Sequence, residues 1–136
     1  MKLNAYLNFN GDCKEAITFY QKVLGGQIVA MFTHGNTPAA GEASAEWGDK
    51  ILHARLEVDG SVIMASVTPP EYFEKPQGFS VNIGVEDPAE AERVFAGLSE
   101  NANVIMPIAE TFWALRFGML VDQYGTPWMV NCEKLM

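Results

Sequence analysis

Residues 52–58, Leu-His-Ala-Arg-Leu-Glu-Val, alternate apolar and polar side chains, which puts His53, Arg55 and Glu57 on one face of a strand. A histidine beside a carboxylate is a general-base arrangement, and an arginine in the same row suits an anionic or hydroxylated ligand. An ordinary solvated strand face accounts for the same pattern. Cys13 follows Asp12 at an expected helix start, where a helix N-terminus lowers a thiol's pKa. No base is patterned near it, so position alone makes it a weak nucleophile. Phe112, Trp113 and Phe117 with Arg116 are aromatic groups and a guanidinium able to stack a planar ligand, or simply to fill a core. His34 falls in a turn-rich stretch and reads as exposed.

Other chemistries are excluded by what the chain lacks. It has no glycine-rich phosphate loop, no Gly-x-Ser-x-Gly elbow and no zinc-ligand cysteine pair. Its two cysteines, Cys13 and Cys132, read as reduced thiols of an intracellular protein. The net charge of −8, without a lysine or arginine cluster, excludes a nucleic-acid partner, whose phosphates need a basic surface. The apolar runs are too short to cross a bilayer, and the first residues hold no signal-peptide core. A cytoplasmic protein with no membrane partner is expected.

These side chains must be carried by 136 residues, room for one ordinary core and a single domain. Leu7 and Phe9 alternate with Asn8 and Asn10 as a half-buried strand; Asp12 is placed to cap a helix over about 13–24, and Gly25-Gly26 stops it. Later, Val81, Ile83 and Val85 alternate, Asp87 caps, Pro88 takes the first helical position, and Ala91, Val94, Phe95 and Leu98 form an apolar stripe. Three strand-like runs follow each helix, at about 27–33, 51–58 and 62–66, then 103–108, 116–121 and 127–132. Gly60 and Gly125 serve the closing hairpins. The chain therefore reads as an internal repeat, two βαβββ modules of about 1–67 and 79–136. A connector over 67–78, with three prolines and a glycine, joins them. Residues 35–49 form a long loop that a lid or a plain surface segment explains equally well, Glu42 and Glu46 included.

The run Tyr6-Leu7-Asn8-Phe9-Asn10-Gly11-Asp12-Cys13-Lys14-Glu15-Ala16-Ile17-Thr18-Phe19-Tyr20 with Leu24-Gly25-Gly26, and the late run Asp122-Gln123-Tyr124-Gly125-Thr126-Pro127-Trp128-Met129-Val130-Asn131, resemble the vicinal oxygen chelate superfamily. That superfamily includes glyoxalase I, bleomycin-resistance proteins and dioxygenases, and the likeness is to its PhnB-like branch. The resemblance spans nearly the whole chain. It implies an α+β fold of tandem βαβββ modules forming a cup-like curved mixed sheet, and commonly a homodimer. A fold that hosts several chemistries licenses no activity by itself.

The superfamily's enzymes place histidine or glutamate metal ligands on the cup face, and the matching positions here read Asn4, Met64, Ser80 and Met129. Two thioethers, an amide and a hydroxyl are a poor set for zinc, nickel or manganese. A one-residue slip substitutes only apolar side chains. No metal and no other cofactor is therefore expected, which weighs against an enzyme. Some relatives of this branch carry a ubiquinone-methyltransferase label, yet Asn10-Gly11-Asp12 offers no glycine-rich turn for a nucleotide-type cofactor. The expected function is the binding of a small organic molecule by Tyr6, Asn8, His53, Arg55, Asn82, Met129 and Asn131. The alternative is a lyase- or dioxygenase-type metalloenzyme with an unconventional site built from His53, Glu57 and Glu110. A third reading, an interaction module with a collapsed cup, is separated from both by whether a polar cavity of roughly 300 Å³ or more exists.

Overall fold

The computed structural model describes residues 1–33 and 50–134. Ten elements follow one another, beginning with strand β1 (Ala5–Phe9), helix α1 (Cys13–Leu24) and strands β2 (Gln27–Thr33), β3 (Ile51–Val58) and β4 (Ser61–Val67). The series then repeats as β5 (Val81–Gly84), α2 (Pro88–Leu98), β6 (Asn103–Ala109), β7 (Ala114–Val121) and β8 (Pro127–Glu133). The chain divides into two compact units, Met1–Glu74 and Lys75–Met136. The loop over 35–49, with its lid reading and Glu42 and Glu46, lies outside the described residues, as does His34.

Each unit contains one four-stranded mixed sheet, in the orders β1-β4-β3-β2 and β5-β8-β7-β6. The first strand of each module pairs in parallel with the last, Tyr6 opposite Met64 in one and Asn82 opposite Met129 in the other. The remaining pairs are antiparallel. In the first unit, Leu7, Phe9, Ala54, Leu56, Ile63 and Ala65 are buried, as are Ala16, Ile17, Tyr20 and Val23 of α1. In the second, Trp128, Val130 and Leu120 are buried with Ala91, Val94, Phe95 and Leu98 of α2. Gly118 lies directly over the Phe95 ring, where a Cβ would come within 2.6 Å. The period-2 alternation thus puts one face of each sheet against its helix and leaves the other open.

The two helix starts differ. Asp87 is extended (φ −101°, ψ 121°) and its Oδ1 accepts the Ala89 N–H at 3.0 Å, with Pro88 next in line. Asp12 occupies the matching position, and its carbonyl accepts from the Ala16 N–H at 3.0 Å. Its side chain makes no capping bond, because ψ of 27° turns the residue out of the extended geometry that aims a carboxylate at the first turn. The hairpin turn between β3 and β4 has both central residues in the left-handed region, Asp59 (φ 48°) and Gly60 (φ 83°). That geometry matches the strand twist and brings β4 back onto β3.

Candidate functional site

The open face of the first sheet is built from alternate residues of β1, β3 and β4. Ala54 and Leu56 are buried on the helix side, so His53, Arg55 and Glu57 stand on the open side. Tyr6 and Asn8 join them from β1, opposite Met64 and Ser66 of β4. Tyr6 Oη lies 3.4 Å from His53 Nδ1, and the two rings pack with centroids 5.9 Å apart. Arg55 pairs across the ladder with Met64 and forms an ion pair with Glu57, Nε to Oε1 3.5 Å.

Among the described residues, this arrangement does not give His53 the carboxylate partner that an unconventional base needs. Glu57 is four residues along the strand, about 13 Å at strand rise, and its carboxylate is turned to Arg55. Among the described residues, the hydrogen-bonding neighbour of His53 is the Tyr6 phenol. Glu110 belongs to the second unit and accepts from Lys134, Oε2 to Nζ 3.0 Å, a hydrogen bond that holds its carboxyl below the usual range.

The open face of the second sheet contains Asn82, Met129 and Asn131. Parallel pairing sets Asn82 beside Met129 and Gly84 beside Asn131. A cavity of about 690 Å³ opens here, lined by Asn82, Gly84, Val85, Glu86, Leu115, Asn131, Glu133 and Lys134. Gly84 leaves space, since a Cβ there would meet nothing within 4 Å. Asn131 Nδ2 donates to Glu133 Oε1 at 3.3 Å, while Asn131 Oδ1 is buried without a hydrogen-bond partner. The Glu133 carboxylate accepts only, which fixes the amide orientation: a flipped Asn131 would set oxygen against oxygen. A buried acceptor left unmatched costs about 1–3 kcal/mol, and because Oδ1 is closed to solvent a donor reaches it only if the Asn131 side chain turns.

Tyr6, Asn8, His53 and Arg55 thus gather on one face in the first unit, and Asn82, Met129 and Asn131 on one face in the second. Sequence reasoning missed Glu86, Glu133 and Lys134 as cavity walls. Glu133 was within reach of it, because it alternates with Asn131 on one strand. Glu86 was not, since it enters through the parallel pairing of β5 with β8.

The positions that the resemblance matches to the superfamily's metal slots read Asn4 and Met64 in the first unit and Ser80 and Met129 in the second. This donor set does not fit a divalent ion that wants imidazole or carboxylate. Among the described residues, no three His, Cys, Asp or Glu side chains group to hold a metal ion.

Cys13 is fully buried, and burial, with the nearby charges of Asp12 and Glu15, pushes its thiol up from 9.0 to about 12. This outweighs the helix-terminus effect that made it a candidate nucleophile. The unfolded thiol ionises first as pH rises, so its stabilising share is full below about pH 9 and is lost toward pH 12. Urea unfolding followed from neutral to alkaline pH is expected to show stability falling above about pH 9, by at most about 1.4 kcal/mol per pH unit from this group. Cys13→Ala removes that part of the slope.

No helix among the described residues is long and apolar enough to cross a membrane. A protein-family model described as 3-demethylubiquinone-9 3-methyltransferase matches residues 1–131. Protein YjdN of Escherichia coli is 35% identical over 98% of this chain and 97% of its own length. Protein PA1353 from Pseudomonas aeruginosa, a solved structure, is 46% identical with a TM-score of 0.90, covering 98% of each chain. A PhnB protein from Bacillus cereus, titled a putative 3-demethylubiquinone-9 3-methyltransferase, shares the fold at 24% identity and a TM-score of 0.76, covering 97% of this chain and 99% of its own. The fold, without close sequence likeness, recurs in a glyoxylase/bleomycin resistance protein/dioxygenase domain from Frankia. Two helices and two four-stranded mixed sheets in tandem βαβββ order are common to that group. The chain accordingly belongs to the PhnB-like family whose model is described as 3-demethylubiquinone-9 3-methyltransferase, on the glyoxalase/bleomycin-resistance/dioxygenase fold.

Proposed function

We propose that this chain binds a small organic molecule and does so without the metal site of the superfamily's enzymes. The observation that carries this reading is the cavity of about 690 Å³ in the second unit, with Asn82 and Asn131 in its lining. A cavity of that size is ordinary for a drug-sized ligand. Asn82 and Asn131 supply polar anchors and Val85 and Leu115 apolar wall, while Met129, which pairs with Asn82 in the sheet, is proposed as a contact beside that lining. Tyr6, Asn8, His53 and Arg55, on the open face of the first sheet, are proposed as a further contact face within the first unit. A homodimer, as the superfamily resemblance implies, and a cytoplasmic location are part of the same proposal. The methyltransferase description of the family is not carried to this chain's activity, because Asn10-Gly11-Asp12 provides no glycine-rich cofactor turn.

The test is a small-fragment screen on the chelator-treated, ¹⁵N-labelled chain. Fragments that bind are expected to move the amide resonances of Asn82, Gly84 and Asn131 together, and Gly84→Leu, which fills the cavity from an open backbone position, is expected to abolish the shifts. A screen in which no fragment moves these resonances, while the same sample responds to a divalent metal around His53, contradicts the reading.

A further inference from the structure

Asn10-Gly11 is the one Asn-Gly pair of the chain, and it falls in the short link between the end of β1 at Phe9 and the start of α1 at Cys13. The link is pinned through its carbonyls. That of Phe9 accepts the Thr68 N–H at 2.8 Å, and that of Asp12 accepts the Ala16 N–H at 3.0 Å. The Gly11 carbonyl accepts from Lys50 Nζ at 3.3 Å. Among the described residues, no hydrogen bond engages the Gly11 N–H or the Asn10 side-chain amide, and Asn10 is exposed. Gly11 has φ of +93°, and the one atom that a Cβ there would meet within 4 Å is Lys50 Nζ, the tip of a flexible side chain, at 3.8 Å. The peptide joining Asn10 to Gly11 therefore has room to turn, with neither reacting group committed elsewhere.

We infer that Asn10 is a modification site, at which the folded chain deamidates spontaneously through its own backbone. The Gly11 nitrogen gives up its proton to solvent and attacks Asn10 Cγ. An N–Cγ bond forms, the Cγ–Nδ2 bond breaks, and the amide nitrogen leaves as ammonia, closing a cyclic imide. Water then opens the imide at either carbonyl. Opening at Cγ gives aspartate, and opening at the main-chain carbonyl gives isoaspartate, with no change of oxidation state in either. Tethering makes the attack intramolecular, and glycine sets no side chain in its way. The other described asparagines are followed by Ala5, Phe9, Ile83, Ala102, Val104 and Cys132, each with a Cβ that obstructs closure. At Asn101 the following N–H, that of Ala102, is also held by the Ser99 carbonyl at 3.0 Å. Conversion at Asn10 adds a negative charge to the net −8. Isoaspartate also adds a methylene to the main chain in the link that joins β1 to α1.

The test holds the full chain, folded and in parallel unfolded in urea, at mildly alkaline pH and physiological temperature, and follows both by peptide mapping and isoelectric focusing. The folded chain is expected to convert at Asn10 before any other described asparagine, with a gain of about 1 Da on the peptide that contains it. Its rate is expected to lie within about tenfold of the unfolded chain's, with aspartate and isoaspartate both formed and a more acidic band appearing in step. Asn10→Gln, whose longer side chain must close a larger and slower ring, is expected to remove the mass gain and the band while unfolding at the wild-type temperature. A folded chain that keeps Asn10 intact after the unfolded chain has converted overturns the inference, because the fold then protects the site. Earlier conversion at another described asparagine overturns it too, as does an acidic band that Asn10→Gln forms at the wild-type rate.

Discussion

Replacing Asp122 by alanine is expected to lower the free energy of unfolding by about 3–5 kcal/mol, the largest single polar effect in the second unit. Asp122 is 5% exposed at the end of β7, and its carboxylate organises the turn into β8. Oδ1 accepts the Tyr124 N–H at 2.8 Å and the Thr126 N–H at 3.0 Å, while Oδ2 accepts the Trp128 indole N–H at 2.7 Å. Truncation strands the indole donor of a buried tryptophan and two turn amides at once. Asp122→Asn retains an oxygen for the amides but sets an NH₂ against the indole N–H, so a smaller loss, about 2 kcal/mol, is expected. Equilibrium urea denaturation at neutral pH measures both. Equal stabilities for wild type and Asp122→Ala would mean that Trp128 and the turn are held by packing alone.

Gly26→Ala is expected to cost about 3–5 kcal/mol through sterics. Gly26 has φ of +85°, in the left-handed region that L side chains rarely adopt, as the chain leaves α1 for β2. A Cβ there would stand 2.2 Å from the Glu57 carbonyl oxygen and 2.8 Å from Val58 Cγ2. The obstruction is strand backbone, so relief requires β2 to move away from β3. Gly25, at φ +80° and ψ −158° in a region essentially confined to glycine, would meet nothing within 4 Å, and Gly25→Ala is expected to pay only the conformational part, about 1–3 kcal/mol. Thermal unfolding of the two variants separates backbone strain from collision: similar losses would show that the close approach at Gly26 is relieved cheaply.

Much of the fold was legible in local patterns. The alternations Leu7/Phe9, Ala54/Leu56 and Ile63/Ala65 assign the helix-facing side of the first sheet correctly, and Trp128/Val130 does so in the second. Because a strand's side-chain period is two, the same alternations place Tyr6, Asn8, His53, Arg55, Asn82, Met129 and Asn131 on open faces. The identity of each group's partner was not legible. Glu57 lies in the row of His53, but strand spacing keeps them apart, and Arg55, the nearer cation, takes the carboxylate. Tyr6 reaches His53 only through the parallel β1–β4 register, which no local run encodes. The cavity has the same origin, since pairing of Gly84 with Asn131 joins residues far apart in sequence. Asp12 shows the converse limit: a good capping residue in the right place, whose backbone angles keep its carboxylate from capping.

We propose that this chain binds a small molecule without the metal chemistry of the superfamily's enzymes. Asn4, Met64, Ser80 and Met129, at the positions the resemblance matches to metal ligands, support it, and titration calorimetry of the chelator-treated chain with nickel, zinc, manganese and cobalt tests it most directly. The account predicts no saturable binding of any of the four ions. Stoichiometric micromolar binding that His53→Ala abolishes would contradict it and make an unconventional metal site on the first sheet the leading explanation.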